Sequence, residues 1–408
     1  MRHYDYIRRV RDAAIVRLNM ARILRICSVS FVVMVLSLLL AGCGSDRSVL
    51  CNGSGGGACT CGPCPVTPGP EFLYATSGSL NAGQILAFTV DHKTGALGPI
   101  ATIPGPAASS GIASSQNQFL YVSDGQNGVV DAFAINQTTG ALTSVPGSPF
   151  SAGGQPFDPF SLVAGTNHLY ATGLGTTGFT IASNGALTLV PGSPFSGGAL
   201  GQAALGQSNT TPVNYFLYAT NLLDPNGAIS AFMIDAASGI LTTIPGSFTT
   251  GPFASPNGIV FDGTLGPFVF VTLNLANQIA VFSVNPTTGV LTPVPGSPFN
   301  TEPLPGSPAL SASQSFLYTT FPFGITAYNI ASNGALTQIP GSPYILPVGE
   351  IAGDIAVTGD NFLYLSLGKS NNILGFSIGK DGSLSPLAGS PFSASSPGLL
   401  TTVQIPPP

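Results

Sequence analysis

Phe119-Leu120-Tyr121-Val122-Ser123, the loop Asp124-Gly125-Gln126-Asn127-Gly128, the run Val129-Val130-Asp131-Ala132-Phe133-Ala134-Ile135 and the turn Asn136-Gln137-Thr138-Thr139-Gly140 form the stretch on which the reading of this chain depends. Aromatic and β-branched runs bounded by Gly, Asn and Ser are strand signals, and a Gly closing a short polar turn marks a hairpin. The small-residue run Gly111-Ile112-Ala113-Ser114 precedes the stretch, and Ala141-Leu142-Thr143-Ser144-Val145 follows it. Residues 110–150 therefore predict four short strands. The unit recurs. Its triplet returns as Phe72-Leu73-Tyr74, His168-Leu169-Tyr170, Phe216-Leu217-Tyr218, Phe268-Val269-Phe270, Phe316-Leu317-Tyr318 and Phe362-Leu363-Tyr364. Counting from Tyr74, the third positions are 47, 49, 48, 52, 48 and 46 residues apart.

A β-rich repeat of that length predicts propeller blades. The hairpin recurs in every copy, as Thr94-Gly95, Thr139-Gly140, Asn184-Gly185, Ser238-Gly239, Thr288-Gly289, Asn333-Gly334 and Asp381-Gly382. Pro-Gly-Ser-Pro-Phe follows at 146–150, 191–195 and 295–299, with near copies at 340–344 and 388–392. Pro cannot donate to a ladder, so these prolines predict that an outer edge strand ends there. The tyrosines recur at one site per blade, which predicts core positions with the hydroxyl bonded between blades. The first repeat begins at Glu71-Phe72 without an inner strand, and the last is followed by a spare one, Pro397-Gly398-Leu399-Leu400-Thr401-Thr402-Val403. The expectation is an all-β, seven-bladed β-propeller over residues 71–408. Its blades are four-stranded, its ring is closed by the C-terminal strand joining blade one, and it is monomeric.

The N-terminal region has a different composition. Arg22 and Arg25 precede the apolar run Val29 to Leu40, which ends in Leu40-Ala41-Gly42-Cys43. A basic region, a short apolar core and a small-residue cleavage site make residues 1–42 a secretory signal peptide, with Met20 as an alternative start and an uncleaved anchor helix as the alternative reading. Leu-Ala-Gly-Cys resembles the bacterial lipoprotein box. That resemblance implies export, a lipid on Cys43 and attachment to a membrane of the cell envelope. Gly44 in place of Asp implies the outer membrane where the host has one. Residues 43–70 are a Cys/Gly/Pro-rich linker carrying Cys51, Cys59, Cys61 and Cys64. In an exported chain these suggest two local disulfides, with unpaired thiols or a metal as the alternatives. Cys61-Gly62-Pro63-Cys64 matches a redox tetrad by letters, but that chemistry needs a helix N-terminus to lower the thiol pKa, and a Gly-Pro linker offers none.

Only 7% of the 408 residues are charged. Removing residues 1–42 takes seven of the 11 basic residues and two of the 16 acidic ones, so the net charge falls from −5 to −10. The survivors are Arg47, Lys93, Lys369 and Lys380, so the repeats contain no arginine. Phosphate neutralisation needs clustered Lys and Arg. Nucleic acid is therefore excluded as a partner, which leaves an envelope protein or a carbohydrate.

Propeller loops joining strands two and three, and those joining successive blades, share one face. They carry Asp124, Asn221, Asp224, Glu302, Glu350, Lys369 and Asn372. At the starts of the innermost strands most blades show small residues, but blade seven has Asp354, Asp158 precedes Pro159 in blade three, and Asn257 precedes Gly258 in blade five. Asp158, Asp354 and Glu350 are the candidate catalytic residues, because paired carboxylates polarise a water. Asn257, Asp124, Asn221 and Lys369 are the candidate ligand contacts. Oxygen ligands around a pore also suit a hard cation such as Ca²⁺, although no cofactor is required. The competing reading makes these residues solvated rim groups or caps of local turns. His168 reads as a packed side chain, His92 and Lys93 as solvated turn residues, and Asp131 as exposed.

Phe-Leu-Tyr-Val/Ala-Thr/Ser, then Ile-Xaa-Xaa-Phe-Xaa-Ile, then Thr-Gly-Ala-Leu-Thr, then Pro-Gly-Ser-Pro-Phe closely resembles the lactonase-type seven-bladed propellers, the 6-phosphogluconolactonase and muconate cycloisomerase group. Tyr121 with Phe133 and Thr139-Gly140-Ala141-Leu142-Thr143, and Tyr318 with Tyr328 and Asn333-Gly334-Ala335-Leu336-Thr337, carry the resemblance, which spans residues 71–403. It implies the fold and, as an activity, lactone hydrolysis. The chain departs from the family's His, Glu and Arg site, because its repeats lack Arg and neither His92 nor His168 starts an inner strand. A phosphorylated lactone needs cationic contacts, and only Lys369 lies on a suitable loop. The sequence therefore favours a binding module at the envelope over a hydrolase of an unphosphorylated lactone.

Overall fold

The computed structural model describes residues 68–407 apart from 80–81, 154–160, 198–200, 223, 247 and 264–265. The expected signal peptide, Cys43 and the four linker cysteines lie outside the described residues, as does Asp158. No helix occurs among the described residues; seven antiparallel sheets account for the strands. Blade two is representative. Outward from the centre it runs Ile112–Ser115, Phe119–Asp124, Val129–Ile135 and Leu142–Ser144. The first strands of successive blades touch around the ring. In blade one that inner place belongs to Pro397–Gln404, which pairs with Glu71–Ser79. The Ile405 N–H also donates to the Pro70 carbonyl at 2.8 Å. The ring is thus a seven-bladed propeller closed by its last strand.

The core lies between blades rather than within them. Phe216 and Tyr218 of blade four pack with Val269, Val271 and Phe282 of blade five, for example. Each triplet grips the hairpin glycine of the next blade. Tyr74, Tyr121, Tyr170, Tyr218, Tyr318 and Tyr364 are all buried, and their hydroxyls donate to the carbonyls of Gly140, Gly185, Gly239, Gly289, Gly382 and Gly95 at 2.6–3.0 Å. The preceding aromatic ring covers the same glycine. A Cβ on Gly140 would lie 2.4 Å from the Phe72 ring, and the residue sits at φ +69°, so only Gly fits there. In blade five Phe270 replaces the tyrosine, so the hairpin glycine of blade six, Gly334, is held there by ring packing, with Phe268 lying against it.

A second set of hydroxyls sits two residues further along the same strands. Thr172, Thr220 and Thr272 donate to the carbonyls of Gly201, Asn257 and Gly306 in the following blade at 2.8–2.9 Å.

The Pro-Gly-Ser-Pro stretch does not end the outer strand, as its prolines suggest, but interrupts it. Ser144 and Phe150 both pair with the third strand of blade two, opposite Phe133 and Val130. The extra residues bulge outward. Inside the bulge Ser148 Oγ accepts the Ala132 N–H at 2.9 Å, a bond the missing ladder residue would otherwise make. Ser193, Ser297, Ser342 and Ser390 do the same for Gly178, Val281, Ala327 and Gly375 at 2.8–2.9 Å. Six sheets count five strands, blades one and four without the full stretch, while in blade three the returning Phe195 makes only an isolated bridge to Thr176. Asp131, in the third strand of blade two, is half-buried rather than exposed. Desolvation, with a smaller contribution from Asp124, pushes its carboxyl up to about 6.

Tyr218→Phe leaves the Gly289 carbonyl buried and unpaired, and should cost about 1–3 kcal/mol in denaturant unfolding; an unchanged midpoint would remove the hydroxyl from the account of blade joining. Asp131 titrates at about 6 in the fold and near ~4 in the unfolded chain. Its ionisation therefore costs stability, a cost complete above the folded value and absent below the unfolded one. Asp131→Asn should raise the melting temperature at pH ~7.5 and leave it unchanged at pH ~4, the two ends of that window.

Candidate functional site

Strand alternation gives the ring two unlike faces. Turns between first and second strands, and hairpins between third and fourth, form a hairpin face. Loops between second and third strands, and the connections between blades, form a loop face.

The described site residues expected from sequence lie on separate loops and inner strands at the loop face. Asp354, in the inner strand Ala352–Val357, is buried, and its Oδ2 accepts the Leu400 N–H of the closing strand at 2.8 Å. Its own N–H is held by Ser366 Oγ at 2.8 Å. The carboxylate ties blade seven to blade one. Asp124 caps its own loop, accepting from Gln126 N, Asn127 N and Asn127 Nδ2 at 2.7–3.1 Å. Asn221 Oδ1 does likewise for Asp224 N at 3.1 Å. These two follow the turn-cap reading. Lys369 is exposed. Glu350 is half-buried in the connection to blade seven, with Oε2 shielded and without a hydrogen-bond partner.

Asn257 is buried at the start of its inner strand, Pro256–Asp262, and its side-chain oxygen has no partner. One blade earlier sits Gln202, which sequence reading missed. It is 1% exposed, and neither atom of its amide has a partner. Thr220 joins the two positions: its Oγ1 takes the Gln202 N–H at 3.0 Å and donates to the Asn257 carbonyl at 2.9 Å. Buried amides are hydrogen-bonded as a rule, so this pair marks the polar part of the inner loop face. Neutral amides bind hydroxyls and carbonyls and offer no acid–base chemistry. The sequence signal for Gln202 was a large polar residue where other blades have small ones.

The loop face also exposes large apolar side chains. Leu174, Phe253, Leu275, Leu304, Phe323 and Val348, on loops and connections of blades three to seven, are each between 45% and fully exposed. Phe253 and Leu304 hold φ of 59° and 58°, a region costly for bulky side chains. The loops are knit together. Phe253 N donates to Pro225 O at 2.9 Å, Asn274 N to Ser255 O at 3.0 Å, Leu304 N to Asn277 Oδ1 at 3.0 Å and Leu346 N to Phe323 O at 2.8 Å. The apolar side chains are thus held out on a fixed frame.

On the hairpin face, His92 is not the solvated turn residue that its hairpin suggests. Its Nδ1 pairs with Asp360 of the first turn of blade seven. Glu71 lies beside them, buried, its Oε1 accepting the Gly359 N–H at 2.9 Å. Desolvation pushes the Glu71 carboxyl up to about 7, against the lowering effect of that hydrogen bond. His168 is packed against Gly239 in the place of the triplet Phe, as expected, and desolvation lowers its pKa. No histidine among the described residues lies on the loop face.

Comparison with known proteins points one way for the fold. The family described as "Lactonase, 7-bladed beta-propeller" matches residues 179–304. No curated protein matches the chain in sequence. A candidate 6-phosphogluconolactonase of Bacteroides fragilis superposes with a TM-score of 0.65 at 19% identity, over 84% of this chain and 100% of that one. A second, from Bacteroides uniformis, gives 0.66 at 18% identity, over 83% and 100%. The periplasmic gluconolactonase of Pseudomonas aeruginosa gives 0.65 at 16% identity, over 83% and 100%. At such identities the superpositions establish the fold: this chain is a seven-bladed β-propeller, part of which, residues 179–304, is similar to the lactonase family.

Proposed function

We propose that this chain is a lipid-anchored propeller of the bacterial envelope that works as a binding module, its loop face receiving the apolar surface of an envelope protein. The observation that carries this reading is the set of exposed apolar side chains on hydrogen-bonded loops of five successive blades. Exposed apolar patches of this kind mark interaction sites. The described chain enters at Pro70 and leaves at Ile405, both on the hairpin face, so a tether from Cys43 attaches away from the rim. Gly44 favours the outer membrane where the host has one.

Lactone hydrolysis is the second reading, favoured by the family match over residues 179–304 and by the likeness in fold to the periplasmic gluconolactonase of Pseudomonas aeruginosa. Against it stand the absence of arginine from the repeats and the engagement of Asp354 with Leu400. Glu350, Asn257 and Gln202 remain to serve it. A plain lactone suits neutral amides better than a phosphorylated one.

The test pairs two assays on the mature chain. Phe253→Ser combined with Phe323→Ser and Val348→Ser should cut apolar-dye fluorescence and photo-crosslinking to envelope protein at least several-fold, with the melting temperature unchanged; equal crosslinking would sink the binding reading. Plain and phosphorylated lactones, tried with Ca²⁺ and with EDTA, should show no turnover above background. Turnover lost in Glu350→Gln or Asp354→Asn would establish the hydrolase instead. Labelled fatty acid should enter the wild-type chain and not Cys43→Ala.

A further inference from the structure

The seam where the ring closes carries three metal-ligating side chains from three separate segments. Glu71 opens the second strand of blade one, His92 sits in the third-strand hairpin of the same blade, and Asp360 lies in the first turn of blade seven. One ligand atom from each falls within 4.8 Å of the other two. Among the described residues no other such grouping occurs.

Two further observations separate this group from an ordinary surface ion pair. First, Glu71 is 2% exposed, and its Oε2 is buried without a hydrogen-bond partner, while Oε1 is fixed by the Gly359 N–H. A buried carboxylate oxygen left unpaired is costly, and a cation is what such an atom accepts. Second, the frame is rigid. Asp91 Oδ1 takes the N–H of Lys93 and of Thr94 at 3.0 and 2.8 Å, and the Gly95 carbonyl is held by Tyr364 at 2.6 Å. The hairpin that presents His92 therefore needs no reorganisation to bind.

We propose that Glu71, His92 and Asp360 form a divalent transition-metal site, fitted to Zn²⁺, that clasps blade seven to blade one. One imidazole and two carboxylates match the N/O ligands of zinc, and three protein ligands leave a fourth position for water. The imidazole selects against Ca²⁺ and Mg²⁺, which take oxygen ligands. A neutral imidazole and two carboxylates cancel the charge of the ion, which suits a half-buried place. The ion replaces the proton that otherwise joins His92 to Asp360 and gives Glu71 Oε2 its partner.

The test uses the full mature chain, stripped with chelator and with its linker cysteines alkylated so that thiolates do not compete. Equilibrium dialysis against ZnCl₂, read by elemental analysis, should find one ion per chain, and Zn²⁺ should raise the melting temperature. His92→Ala and Asp360→Asn, both on partly exposed turns, should each weaken binding at least tenfold and abolish the thermal shift. Millimolar Ca²⁺ should not displace the ion. A wild-type chain that takes up no zinc would overturn the proposal. So would variants that bind it with the same stoichiometry and affinity as wild type.

Discussion

Each blade grips one hairpin glycine of the next. The triplet aromatic covers its Cα, and in six joins the buried tyrosine takes its carbonyl. A net contribution of about 1 kcal/mol per bond, multiplied around the ring, is of the order of a domain's whole stability. Because the contact is between blades, no blade is complete alone, as expected of a repeat whose units bury their faces on each other. The same glycine must turn the hairpin with φ > 0, so local and tertiary demands fall on one residue. Everything the loop face presents is positioned by this ring of clasps.

The architecture was legible because its determinants are periodic. Strand runs, hairpin glycines, tyrosines and the spare C-terminal strand all repeat or complete a repeat, and each took the place its pattern implies. The Pro-Gly-Ser-Pro stretch was misread because proline's missing N–H indicates an edge but does not say whether the strand resumes. The serine hydroxyl that mends the ladder leaves no signature in hydrophobic patterning.

The site was far less legible, for a physical reason. A buried polar residue earns its role from partners in other blades, and those pairings are not local. Asp354 looked like a free carboxylate at a channel, yet the closing strand, 46 residues further on, supplies its hydrogen bond. His92 looked like a hairpin tip, and its partner Asp360 lies 268 residues away. Gln202 gave only the faint signal of a large residue at a small-residue position. The two faces also differ in chemistry: the one His/carboxylate cluster among the described residues sits on the hairpin face, and unpaired amide atoms with exposed apolar groups sit on the loop face.

The closing strand has a consequence for how the chain comes into being. Glu71–Ser79 is the first strand of the ring to leave the ribosome, and its inner neighbour, Pro397–Gln404, is the last. The oldest blade is thus the last to be finished, and until then it exposes an unpaired, apolar edge. Long-range pairing of this kind is slow, and chains that await it are prone to aggregate. Blade one is therefore completed only once the closing strand has been made. A chain stopped before Pro397 would leave blade one open.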